Sequence, residues 1–331
     1  MNTDITVLDH LLVINLDIHI WSARRKLTPP DINGAELPPE DLASLGSKRV
    51  CNPEDLRVFG TLKARAVSLL ERNGVRFLNG WAVPETRIDE IMVELSAIRT
   101  EFEDAKESFL QRYDRAIQEW IAKHPAWAGI IAGSVVDEDY VRSRLGFRWQ
   151  AFRVDAPQGV PPGALRDNLH TDVHNLGNTL FGETAKAASE TWRRCFAGKT
   201  EVTRKALSPL KSIRDKLMGL TFLEPRVAPV LELLDAALGA IPRRGALKGA
   251  VLVMLQGVVC LLQNPSALLE HGQGILDGRR SPQDILTALV VEPGVMVAAS
   301  EPGEPMEEED IEHVPESVAV IPQCIQSHGL W

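Results

Sequence analysis

The patterned part of the chain begins with "LLVINLDIHIW", Leu11 to Trp21, in which two sets of positions alternate without a slip. A period of two predicts a strand, because successive side chains leave a pleated backbone on opposite sides. Leu12, Ile14, Leu16, Ile18 and Ile20 make one face, expected to be buried. Val13, Asn15, Asp17, His19 and Trp21 make the other, expected to meet solvent or a site. Paired prolines turn "RRKLTPPDINGAELPPEDLASLG" into a turn-rich connector, with a short helix expected near Glu40. Asn52, Pro53, Glu54 and Asp55 then read as a helix start and Asn73-Gly74 as its stop. "VRFLNGWAV" predicts one or two short strands, Val75 to Phe77 and Trp81 to Val83, about Asn79-Gly80.

From Pro84 the period lengthens. Ile88, Ile91, Leu95, Ile98, Phe102, Ala105 and Phe109 recur at steps of three and four, and Tyr113, Ile117 and Trp120 follow after one shifted step. This predicts one helix with a coiled-coil-like seam over about 85–123, ended by His124-Pro125. A second stripe runs from Leu165 through Leu169, Val173, Leu176, Leu180 and Cys195 to Leu210, Ile213, Leu217 and Leu220, with Pro209 as the expected kink. The simplest pairing is a long antiparallel helical hairpin over 85–222. Between the two stripes, in 124–166, "FRWQAFRV" alternates like a strand and is the best partner for Leu11 to Trp21.

Residues 223–291 carry a second, apolar helical hairpin about Pro242-Arg243-Arg244-Gly245, with Gly245, Gly249 and Gly257 on similar faces. Asn264-Pro265 and Ser281-Pro282 then start two short helices. Leu247, Val251, Val253, Leu255, Val258 and Leu261 lie in a 246–262 stretch holding one charge, Lys248. That length sits at or below the lower limit for a membrane span, roughly 17 to 25 residues. Core burial is the favoured reading, and membrane insertion stays open. Residues 292–331 form an acidic tail around Glu307, Glu308, Glu309 and Asp310, too polar to offset its chain entropy by burial. The expected fold class is thus mainly α, with a small β-sheet module and an N-terminal strand/helix module over 1–84.

The composition narrows the function. A net charge of −9 argues against a general attraction to phosphate backbones, although local basic patches remain open. The four cysteines are isolated, which suits a reducing compartment, and "MNTDITVLDH" lacks the pattern of a secretory signal, so a cytoplasmic protein is expected. "FAGKT", Phe196 to Thr200, lacks the earlier glycine of a phosphate loop. "HTDVH" puts His170 and His174 one turn apart, yet Thr171 stands where a zinc protease needs its glutamate; Asp167 and Glu183 are the nearby acids. Asp17, His19, His170 and His174 are therefore weak metal candidates, and solvated side chains are the plainer reading. No catalytic framework is visible. No cofactor is expected.

"LVINLDIHIWSARRKLTPPDI", "GVRFLNGWAVPE" and "RLGFRWQAFRV" resemble an uncharacterised bacterial and phage family known as domain of unknown function 3150, over most of the chain up to about Val291. The resemblance implies a protein of phages, plasmids or conjugative elements. It also implies a gene neighbourhood holding a MoxR-type AAA+ ATPase, similar to a cobaltochelatase subunit, and a von Willebrand-type metal-binding partner. It supplies no active-site residues. The expected function is a non-enzymatic interaction protein working in a complex with such an ATPase, its tail tethering a partner. The alternative is a membrane-acting, alpha-pore-forming-type protein using 246–262. The seams are compatible with homo-oligomers as well as with pairing inside one chain.

Overall fold

The computed structural model describes residues 6–32, 46–155 and 164–290. The described residues fall within one compact unit, mainly helical, with a small antiparallel sheet. The N-terminal half contributes β1 (Leu11–His19), β2 (Arg24–Lys26), β3 (Ser47–Arg49), α1 (Arg57–Asn73), β4 (Val75–Phe77) and β5 (Gly80–Pro84). It continues with α2 (Ile88–Gln111), α3 (Tyr113–Lys123), the short α4 (Ala128–Ala132) and α5 (Glu138–Ser143), and β6 (Gly146–Phe152). The second half holds α6 (Ala164–His174), α7 (Leu176–Thr191), β7 (Glu201–Val202), α8 (Leu207–Gly219) and α9 (Val227–Gly239). β8 (Leu247–Lys248), α10 (Ala250–Leu262), α11 (Pro265–Leu276) and α12 (Pro282–Val290) follow.

The sheet has the order β4-β5-β1-β6, so the first strand is central. "FRWQAFRV" pairs antiparallel with it as expected, Asp17 opposite Arg148 and Ile18 opposite Phe147. β5 takes the other edge of β1, Leu12 opposite Val83. β4 and β5 form the expected hairpin, whose two-residue turn, Leu78 and Asn79, has φ of 45° and 62°. Positive φ at both central positions matches the right-handed twist of the flanking strands.

The sheet separates two apolar cores. Ile14, Ile18, Trp81, Val83 and Phe147 face a core built with α1, α2 and α3, where Phe59, Phe102, Phe109 and Tyr113 stack edge to face. Leu11, Val13, Val75, Phe77 and Ala82 face a second core, filled by α7 to α12. The second face of β1 is thus polar only toward its end. Val13 is buried because helices cover both sides of the sheet there. Trp21, expected on the polar face, is buried too: the strand stops at His19, and the ring packs on Phe109 and Tyr113. The expected short helix near Glu40 and the tail 292–331 lie outside the described residues.

Both long seams are interrupted. The expected 85–123 helix breaks at Arg112 (φ −109°, ψ 9°), at the shifted step, with Phe109 and Tyr113 each reaching Trp21 across the break. The second stripe breaks at Asn175 and in a wide turn over Trp192–Phe196, and the chain then reverses through Gly198 (φ 66°), so that α8 folds back on α7. Pro209 does not kink a helix, since it sits in the first turn of α8, where its missing N–H has no partner to lose. The partner of α2 is α1, while α7 and α8 belong to the other core.

In the apolar segment, α9 and α10 flank the expected turn, but each packs mainly on α12 and other helices. Gly245 and Gly249, with φ of 95° and 58°, are turn residues and share no helix face with Gly257, which alone lies in α10 and meets Leu289. The caps are as expected: Asn264 Oδ1 accepts from the N–H groups of Ser266 and Ala267, and Asp284 accepts from Ser281.

A Cβ on Gly80 would lie 2.5 Å from the Ile14 carbonyl oxygen, whereas one on Gly182 of α7 meets open space. Gly80→Ala is expected to destabilise the protein by about 1–3 kcal/mol. Gly182→Ala is expected to stabilise it by about 0.5–1 kcal/mol. Urea titration of both variants checks the opposite signs.

Candidate functional site

β1 outlasts its helical cover. After Ile18 its side chains reach the surface, and there His19 Nε2 lies 2.6 Å from Asp17 Oδ1, while Arg148 Nη2 lies 2.8 Å from Asp17 Oδ2. His19 and Asp17 come together as their spacing suggested, but at 62% and 43% side-chain exposure the pair adds little stability. What the pairing does is hold His19 and Arg148 side by side on one carboxylate.

Both side chains line an open cleft of about 460 Å³. Arg24, Arg25, Arg144, Arg148 and His19 line it together with Tyr140, and no carboxylate is among the lining residues. The guanidinium carbons of Arg25 and Arg144 stand 5.3 and 5.2 Å from the Tyr140 ring centroid. Aromatic support holds a guanidinium in place without neutralising it, as a carboxylate would. The two cleft serines are engaged with backbone: Ser143 donates to the Tyr140 carbonyl, and Ser22 accepts from the Arg24 N–H.

Two elements bring these residues together. α5 begins with Asp137 capping the Tyr140 N–H at 2.6 Å, which sets Tyr140 and Arg144 one turn apart on one face. β2 is turned back over the cleft by Ala23, whose φ of 52° is unusual for a residue with a Cβ. The Ala23 carbonyl accepts from Val50 N–H at 2.9 Å, so the β2–β3 ribbon holds the reversal. Asp31 anchors the ribbon, accepting from Lys48 Nζ at 2.5 Å and from both the N–H and hydroxyl of Thr28 at 2.8 Å. Lys48, then Thr28, hold the Asp31 carboxyl down to about 2.

The other candidates separate. His170 and His174 lie one turn apart on α6, half-buried and exposed, and no group of three metal-ligating side chains occurs among the described residues. Glu183 is engaged elsewhere, accepting from Lys216 Nζ at 2.7 Å and from the Arg76 N–H at 3.0 Å, which ties α7 and α8 to the edge of β4. Gln256 of α10 holds the "FAGKT" loop by the carbonyls of Phe196 and Lys199. Leu247, Leu255 and Val258 are core residues, Val251 and Leu261 are half-buried, and Val253 is 44% exposed. Helix in 246–262 is confined to the 13 residues of α10, because Leu247 and Lys248 pair with β7. Among the described residues no single helix is long and apolar enough to cross a membrane; α10 and α11 pass that test only as a pair, bent by 105°. A second groove, of about 480 Å³, lies between α1 and α2 and is lined by charges of both signs, Arg65, Arg72 and Glu94, with Arg65 paired to Glu101.

Sequence reasoning missed the arginines. The basic run Arg24-Arg25-Lys26 was the available signal, but Tyr140, Arg144 and Arg148 join it only through the fold.

The model of a family described as "Protein of unknown function (DUF3150)" matches residues 8–264. No curated protein and no solved structure matches the chain.

Two outcomes are expected at this end of the molecule. Asp31 is ionised more readily folded than unfolded, so its contribution to stability is full above its ordinary carboxylate range, near pH 4, and fades as pH falls toward 2. The melting-temperature gap between wild type and Asp31→Asn should therefore narrow over that window. Cys51, buried and then opposed by the Asp55 charge, is pushed up to about 12. Iodoacetamide at pH 8 should label exposed Cys260 and spare Cys51 until the protein unfolds, as peptide mass spectrometry would show.

Proposed function

This chain belongs to the family described as Protein of unknown function (DUF3150), and on that premise we propose that it is a non-enzymatic interaction protein of a phage or other mobile element, holding an anionic partner in its arginine cleft. The observation that carries the reading is the cleft itself, where the Arg25 and Arg144 guanidiniums rest on the Tyr140 ring and, among the described residues, only Arg148 of the lining arginines pairs with a carboxylate. A cationic surface on rigid elements attracts and orients an anion at little ordering cost. The Asp17 carboxylate, divided between His19 and Arg148, serves here to orient those donors. Work in a complex with a MoxR-type AAA+ ATPase, with residues 292–331 as a tether, completes the proposal.

The second reading, membrane action through the bent pair α10–α11, rests on the apolar length of that pair. Val253→Asp tests it cleanly, since Val253 faces outward and the change leaves the core intact. Loss of liposome leakage in that variant would favour the membrane.

Retention on immobilised heparin, a generic polyanion, tests the cleft. The full chain should be retained, and Arg24→Glu/Arg144→Glu should elute at lower salt; flow-through of the wild type would end the reading. Light scattering of the chain mixed with the ATPase and nucleotide tests the complex. A mixture that elutes as separate species removes the ATPase from the proposal.

A further inference from the structure

We propose that the cleft and the β2–β3 ribbon together form a track for the phosphodiester backbone of a nucleic acid. The inference rests on the cleft being an anion-holding face and names the anion. Its starting point is an electrostatic cost built into the ribbon. β2 and β3 place Arg24 opposite Arg49 and Arg25 opposite Lys48. Like charges directly opposite each other weaken a strand pair. Lys48 is relieved by Asp31, but among the described residues neither Arg24 nor Arg49 has an acidic partner. Two exposed guanidiniums side by side on the ribbon make a site for an external polyanion, and Arg24, which also lines the cleft, joins the two.

The ligand chemistry follows from the donors. The fork of a guanidinium matches the paired oxygens of a phosphate, and a row of such forks matches a ligand with repeated phosphates. The lining is cationic and hydroxylic apart from Ile20 and Trp21, so it suits a charged backbone better than an unstacked base. Binding is therefore sequence-independent. The overall charge does not oppose it: residues 292–331 contain nine Asp and Glu and no Lys or Arg, which leaves the rest of the chain with 36 charges of each sign. The acidity that argued against nucleic acid lies wholly in the tail.

The test is fluorescence anisotropy of the full chain with labelled oligonucleotides of about 30 units, as single-stranded DNA, single-stranded RNA and duplex DNA, between about 50 and 200 mM salt. Binding should weaken steeply with salt. Arg24→Glu/Arg144→Glu should weaken it by about tenfold or more and lower the salt slope by about one for each phosphate that is no longer neutralised. Arg49→Glu should do so in part, while Lys211→Glu, on α8, should leave it unchanged. All four altered side chains are exposed, so the melting temperature should hold. The three nucleic acids distinguish the source of the backbone. Equal competition by polyglutamate, or binding unaltered in the double variant, would overturn the inference. If no nucleic acid binds while heparin retention still depends on the arginines, this inference fails and the anion-holding reading stands; if heparin retention fails as well, both fall.

Discussion

Leu11 and Val13 lean into one core while Ile14 and Ile18, from the same strand, fill the other. A strand buried on both faces must have neighbours on both edges and helices on both sides, because its backbone groups and its side chains alike have left water. β5 and β6 supply the edges. The helices divide accordingly, α1 to α3 on one side and α7 to α12 on the other. Each apolar side chain so buried stabilises the fold by about 1.5–3 kcal/mol, and β1 contributes to both sums at once. The break at Arg112 and the reversal at Gly198 keep the long apolar stripes short enough to wrap these cores.

The cleft is the other consequence of the same strand. β1 is nine residues long, and its cover ends before it does. Asp17 and His19 therefore emerge at the rim of the core, where β6 brings Arg148 opposite and the chain must turn. The turn is made at Ala23 in a left-handed conformation, a strain of the kind that persists only where surrounding contacts impose it. Here those contacts are the ribbon and the buried Trp21, which together hold Arg25 against Tyr140 of α5. A charged surface is thus assembled from the β2–β3 ribbon, the end of α5 and the edge strand β6, and the Tyr140 ring supports two of its guanidiniums.

Much of this was legible along the chain. The alternation of Leu11 to Trp21, its pairing with "FRWQAFRV", the 75–83 hairpin, and the caps at Asn52, Asn264 and Ser281 all rest on contacts within a few residues or on a period that only one element satisfies. The seams were legible as helix but misleading as partners. A stripe of Leu and Ile says that a face will be buried, not against what, and α2 lies on α1 where a long hairpin was the simpler expectation. The candidate site was half legible: Asp17 and His19 stood out by alternation, but the arginines that surround them did not.

What the sequence determined by itself was the kind and placement of the elements, since periodicity, capping and turn chemistry act between near neighbours. Only the tertiary structure decided which helices share a core and which charges share a surface. Arg25 reaches Tyr140, and Asp17 reaches Arg148, across more than a hundred residues of chain. The alternation of the two strands proposes the second meeting without its register, and the first is selected only by the joint burial of two cores around one strand.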